Sequence, residues 1–138
     1  MAIPATARQI EDAFAVRVAV FVDEQGIPRS EELDELDATA VHCVAYDGGV
    51  PIGAGRLLHG DGYAKIGRMA VLAAHRGVGV GGMVLQALER EGVVRGSRHF
   101  KLSAQVTARA FYERHGYTAV GDVYDEVDIP HIAMEKRV

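Results

Sequence analysis

Between Arg76 and Gly82 the chain reads Arg-Gly-Val-Gly-Val-Gly-Gly, with glycine at 77, 79, 81 and 82. An apolar run with strand character (Ile66, Met69, Val71, Leu72) precedes it, and a helical pattern through Met83, Val84, Leu85, Ala87 and Leu88 follows. Strand, glycine turn and helix form the layout in which consecutive backbone N–H groups face an anion at a helix N-terminus. Arg76 adds a permanent positive charge at the mouth. The chemistry this predicts is phosphate binding. A second candidate group is Phe111-Tyr112-Glu113-Arg114-His115-Gly116-Tyr117. Taken alone, paired aromatics beside a helix end are what a core uses.

Other reactive residue types carry less. His42, His75, His99, His115 and His131 show no metal-ligand spacing, so no metal site is expected. His42 and Cys43 are neighbours on a predicted strand and point to opposite faces, which excludes a nucleophile–base pair. These side chains read as structural, with His131 kept as an active-site candidate. No nucleophile elbow is present.

Gly77, Gly79 and Gly82 also satisfy G-x-G-x-x-G, the dinucleotide-binding fingerprint. That fold requires an acidic residue about 20 positions on, at the end of the next strand, to hold the ribose. The next predicted strand, His99 to Gln105, has no Asp or Glu, and an antiparallel meander precedes the loop. A Walker-type loop fails because no Gly-Lys-Ser/Thr closes the turn.

The elements that must position these groups follow from periodicity. Ile10, Phe14, Val18, Phe21 and Val22 predict a helix over Thr6 to Val22, with Pro4 before it and Glu11 and Asp12 in its first turn. Gly26 and Pro28 end it. Ser30 to Asp37 is strongly acidic and reads either as a solvated turn, with Ser30 capping a short helix, or as the rim of a site for a basic substrate. Thr39 to Tyr46, Val50 to Leu58 and Tyr63 to Leu72 predict a three-strand meander turning at Asp47-Gly48-Gly49 and Gly60-Asp61-Gly62. The glycine-loop helix runs to about Arg95. After the His99 strand, Thr107 is expected to cap a helix over Ala108 to His115 that Gly116 stops. Val120 to Val123 and Ile129 to Glu135 predict two last strands around an acidic loop.

The pattern predicts one α/β domain over residues 1–138, long enough to bury a core without disulfides or metal. The net charge of −4 argues against nucleic acid as a partner and suits a cationic one. No apolar run is long enough for a membrane span, no signal-peptide pattern opens the chain, and the single cysteine fits a reducing cytoplasm. A homodimer is the default oligomer.

Read as Arg76-x-x-Gly79-x-Gly81, the glycine loop resembles the acyl-CoA signature of the GNAT superfamily of N-acetyltransferases. Met69-Ala70-Val71 resembles the end of that family's fourth strand, and Phe111 to Tyr117 its C-terminal F-Y-x-x-x-G-F/Y motif. The resemblance covers about residues 10 to 138. Val20-Phe-Val-Asp-Glu24-Gln25-Gly-Ile-Pro28 further resembles the ElaA/YjcF-type branch. The implied fold is α/β (α+β), a mixed, mostly antiparallel twisted sheet flanked by helices, with splayed fourth and fifth strands. The family opens with a strand before its first helix. Only Met1 to Thr6 remain for it here, so that strand is expected to be short or missing.

The resemblance implies transfer of an acetyl group from acetyl-CoA to a primary amine by direct attack; a non-catalytic CoA-binding or sensor module is the alternative. The CoA pyrophosphate would lie on the N–H groups of Gly77, Val78, Gly79, Val80 and Gly81, beside Arg76. Backbone groups of Met69, Ala70 and Val71 would bind the pantetheine arm and polarise the thioester, and Gln105 would hydrogen-bond a pantetheine amide. Tyr112 matches the family's usual general acid, and Phe111 reads as core. Glu24 and Gln25 fall where the family places its acceptor-binding wall. Lys65, Gly67 and Arg68 stand where some members carry a catalytic carboxylate, so a water chain, Glu24 or Asp37 would have to serve as base. The acceptor, a small-molecule or peptide amine, is not specified.

Overall fold

The computed structural model describes residues 1–138. Strands β1 (Val41–Asp47), β2 (Val50–His59), β3 (Ala64–Val71), β4 (His99–Gln105), β5 (Thr118–Glu126) and β6 (Ile129–Arg137) form one sheet in the order β1-β2-β3-β4-β6-β5. Every neighbouring pair is antiparallel except β3 with β4. Those two pair only at Ala64↔Phe100 and Lys65↔Lys101 and then separate, as the expected splay requires.

A bulge sits where they part. Ala54 faces Ala70 but Arg56 faces Gly67, so Arg68 and Met69 oppose Gly55 alone, and Arg68 takes φ +52°. One extra residue bends a strand and increases its twist, which carries the end of β3 away from β4. The strand expected before the first helix is reduced to a bridge between Ala2 and Val44.

Helix α1 spans Ala7–Arg17, and Thr6 with Gln9 forms a capping box at its start. Glu11 and Asp12 therefore lie past the first turn, a correction to the expected start. From Val18 to Glu24 the helix widens into a π-helix, a form often found at functional sites. After it come α2 (Arg29–Glu32) and a 3₁₀ turn, Glu35–Ala38, that Asp34 caps in place of Ser30. Helix α3 is Val80–Val94 and α4 is Arg109–Arg114. Thr107 lies in a 3₁₀ turn and does not cap α4. Most of the acidic residues expected in the last loop belong to β5, which joins β6 through Val127 and Asp128 alone.

Alternation along β4 puts Phe100, Leu102 and Ala104 on one face, packed with Leu85 and Leu88 of α3 and Met134 of β6. On the other face Ala13, Val16 and Val20 cover Val44, Ala54 and Ala70. Each large side chain so buried contributes about 1.5–3 kcal/mol.

The acidic segment is not a solvated turn, and Ser30, Glu31, Glu32, Asp34 and Leu36 line a large cleft, as its reading as a rim requires. Arg17 Nε meets Glu32 Oε1 at 2.8 Å and its Nη1 meets Asp37 Oδ1 at 2.7 Å. Arg56 Nη1 reaches Asp34 at 2.7 Å and Asp37 at 2.9 Å, and Arg68 Nη2 reaches Asp34 at 3.1 Å. Arg17, Glu32 and Arg56 are all buried. The charges that looked free along the sequence tie the segment to α1 and the sheet.

Candidate active site

The gap between β3 and β4 opens into a cleft of about 1040 Å³. On one wall, Gly77 to Gly82 carry six consecutive backbone N–H groups, none of which donates within the protein. Arg76 N and Met83 N, on either side, donate to Ala73 O and Gly79 O. Gly79 makes this geometry possible: it stands at the N-cap of α3 with φ +90°, where other residues are strained. Gly81 admits a neighbour, since a Cβ there would lie 3.3 Å from the Phe111 ring. Free N–H groups at the positive end of a fifteen-residue helix suit a phosphate.

The side chain of Arg76 is otherwise engaged. Its Nε donates to Val71 O at 2.8 Å, and Nη1 and Nη2 grip both carboxylate oxygens of Glu24 at 2.7 Å each. The Arg76 hydrogen bonds hold the Glu24 carboxyl below the usual carboxylate range. One residue on, Gln25 and Gln105 pair reciprocally, Gln105 Nε2 donating at 2.8 Å and Gln25 Nε2 at 3.4 Å. The end of the π-helix thus joins the segment after β3 to the end of β4, across the mouth of the splay. All the residues expected to bind CoA line this cleft except Val78, as do Tyr112 and Gln25; Glu24 lies outside it.

Tyr112 is buried, with its ring edge-on to Phe111 and to Tyr117. Burial pushes its hydroxyl well above the ordinary tyrosine range, so it holds its proton at neutral pH. Tyr117 donates to Glu89 at 2.7 Å and belongs to the core. Phe111 packs on that core, as its reading predicted.

Two carboxylates considered as bases are compromised. Burial works to raise Asp37, but the hydrogen bonds and charge of Arg17, and then of Arg56, outweigh it and hold it at about 2. Glu24 is bound bidentately by Arg76. Cys43 is fully buried and pushed up to about 11 by that burial, which makes it a poor nucleophile. No three His, Cys, Asp or Glu residues gather as metal ligands.

A matching family description, acetyltransferase (GNAT) domain, covers residues 9–138. The chain belongs to the GNAT acetyltransferase family. It is 46% identical over 129 residues to YjcF of Bacillus subtilis, an uncharacterized N-acetyltransferase, covering 93% of this chain and 92% of that one. It resembles the crystal structure of ElaA from Escherichia coli at 29% identity and TM-score 0.84, covering 96% and 93% of the two chains. An acyl-CoA N-acyltransferase structure from Pseudomonas aeruginosa matches at 35% identity and TM-score 0.83, over 96% and 92%. These relatives support the ElaA/YjcF-like branch and an N-acetyltransferase.

In this GNAT chain His131, kept as a candidate from the sequence, lines the cleft together with Ser103 and Glu126, neither of which the sequence singled out. Alternation in β4 turns Ser103 and Gln105 away from Phe100, Leu102 and Ala104. Cross-strand pairing sets His131 beside Gln105 and Tyr124 beside His131. Ser103 hydrogen-bonds the Tyr124 hydroxyl and reaches Glu126 Oε2 at 3.4 Å. The period-two pattern of β4 was a usable signal for this face. The two last strands were predicted, but which of their residues share this face was hidden by the register shift in β5 between Val120 and Tyr124.

Proposed function

We propose that the protein transfers an acetyl group from acetyl-CoA directly to a primary amine, without a covalent enzyme intermediate. The observation that carries this reading is the unpartnered N–H run from Gly77 to Gly82, opening on the same cleft as the splayed strands and Tyr112. Those N–H groups would hold the pyrophosphate. Met69, Ala70 and Val71 lie where β3 has left β4, on an edge that β4 does not cover. Acetyl-CoA bound there supplies an activated acyl carbon. The chain's own residues orient the arm through the β3 edge, polarise the carbonyl through a main-chain N–H, and return a proton to the departing sulfur from Tyr112. Direct attack is supported by the burial of the one cysteine away from the cleft.

Calorimetry with CoA, and CoA-thiol release from acetyl-CoA with a panel of small amines and lysine peptides, test the reading. Saturable binding and amine-dependent thiol release are expected. Gly79→Glu should abolish binding with the fold retained by circular dichroism, and Tyr112→Phe should lower turnover far more than CoA affinity. Failure to bind CoA at millimolar ligand sinks the proposal. Binding without thiol release across the panel turns it into a CoA-binding module.

A further inference from the structure

His131 and Glu126 are drawn into the cleft from β6 and β5, and the reading so far leaves both unused. His131 is buried, and its Nδ1 lies 2.7 Å from the carbonyl oxygen of Ile129. A carbonyl only accepts, so the ring proton sits on Nδ1 and the lone pair of the neutral ring sits on Nε2. Nε2 lies 3.5 Å from Glu126 Oε2. Glu126 and Tyr124 from β5 face the ring, Gln105 of β4 is its cross-strand partner, and Ser103 of β4 bonds both Tyr124 and Glu126. The Tyr124 ring stacks over His131 at 6.2 Å. No lysine or arginine is bonded to this pair, whereas Asp34 and Asp37 are clamped by arginines.

The backbone that presents Glu126 is strained. Val127 and Asp128, which turn β5 into β6, have φ of +48° and +61°. Positive φ at both positions is what a two-residue hairpin turn requires, and it is costly for the β-branched Val127. Val127 also lines the cleft.

We propose that His131, held through Nδ1 by the Ile129 carbonyl, is the general base that takes the proton from the incoming amine at Nε2, and that Glu126, beside the same nitrogen, selects a cationic acceptor. This rests on the acetyl-transfer reading above. The amine arrives as an ammonium drawn by the Glu126 carboxylate. One proton passes to His131 Nε2 and on to solvent, and Glu126 stabilises the imidazolium in between. The freed nitrogen lone pair forms the C–N bond to the acetyl carbon, and the C–S electron pair leaves with sulfur. Sulfur takes a proton from the Tyr112 hydroxyl, and the nitrogen's remaining surplus proton restores Tyr112. The products are the amide, the CoA thiol and one proton. Tyr112 and His131 line the same cleft from different elements, α4 and β6, which lets acid and base act on opposite partners of one reaction.

His131→Asn and Glu126→Gln test this against the unsubstituted protein. The asparagine amide can still donate to the Ile129 carbonyl but offers no basic nitrogen. With acetyl-CoA and spermidine, glucosamine or lysine methyl ester as probes, His131→Asn should lower thiol-release turnover about 100-fold or more. Its CoA affinity by calorimetry should match the parent's. Glu126→Gln, on an exposed hairpin, should lower kcat/KM for the amine about tenfold, since it keeps the base and removes only the charge beside its accepting nitrogen. His131→Asn turnover within about threefold of the parent, below the range of a general base, overturns the assignment. A second readout needs no acceptor. Nitrogen NMR of the neutral ring at alkaline pH should show the Nδ1–H tautomer, and an Nε2–H tautomer overturns the base role. A parent protein that binds no CoA or releases no thiol defeats the acetyl-transfer reading itself; a working parent with an unaffected variant defeats only this proposal.

Discussion

Two sets of arginine–carboxylate pairs flank the same cleft. In one, Arg17, Arg56 and Arg68 bind Glu32, Asp34 and Asp37 behind the π-helix, with the Arg17 side chain 1% exposed. In the other, Arg76 grips Glu24 at the mouth, with both side chains 42% exposed. The contact distances are nearly the same, and the Arg76 pair is the more symmetric. Burial separates them. Arg17, Glu32, Arg56 and Asp37 have given up water and depend on their partners, so losing one leaves an uncompensated charge, while Asp34 and Arg68 form the half-exposed edge of the set. Each ion of the outer pair can be resolvated, so the pair can open at small cost. The inner set is a fixture that sets where the π-helix lies; the outer pair is a contact that a phosphate can compete for.

Arg17→Met should produce the largest effect. It strands Glu32 and part of Asp37 in the interior and should cost about 3–5 kcal/mol, read as a lowered denaturant midpoint. A loss under about 1 kcal/mol would place the inner network in the same class as exposed pairs and erase the distinction. Acid titration gives a second test. Asp37 is depressed from 3.8 to about 2 in the folded protein. A depressed carboxylate contributes stability that is full above its unfolded pKa and lost as pH falls through the folded value. Thermal midpoints should therefore fall between about pH 4 and pH 2, and Asp37→Asn should flatten that slope. An unchanged slope would mean that Asp37 is not held as the structure shows.

The meander, the glycine-loop helix and Gly116 were legible because each has a local cause: alternation, a glycine turn, a stop signal. The solvated-turn reading of the acidic segment fails for a physical reason. Charge runs are informative only with their partners, and Arg17, Arg56 and Arg68 come from three separate elements distant in sequence. The π-helix was invisible because its apolar positions fit ordinary helical spacing as well. Arg76 and the glycines were legible as a cradle; that Glu24 engages the arginine was not, since 52 residues separate them. Gln25 and Gln105 are both candidates by sequence, but nothing local joins two amides 80 residues apart. The Ser103, Tyr124, Glu126 and His131 group needed the β5 register shift before its face could be assembled.

At the mouth the effects should be smaller and fall on binding. Glu24→Gln frees Arg76 for an anion, so CoA affinity should rise about two- to fivefold in low salt, with the thermal midpoint unchanged. Weaker binding would show that Glu24 positions Arg76 for the ligand and does not compete with it. Gln25→Ala should do least of all. It removes a neutral, exposed amide pair and leaves the Glu24 contact in place, so neither stability nor CoA affinity should move measurably. Its trace should be local. Gly26 N and Ile27 N bond to Val22 O and Phe21 O at the end of the π-helix, and Gln25 is the side chain that ties this end to β4. Without it, hydrogen exchange at those two amides should quicken a few-fold while the core amides of β4 keep their rates. If exchange there is unchanged, the Arg76–Glu24 contact alone holds the segment, and opening it on phosphate binding would release the whole end of the π-helix.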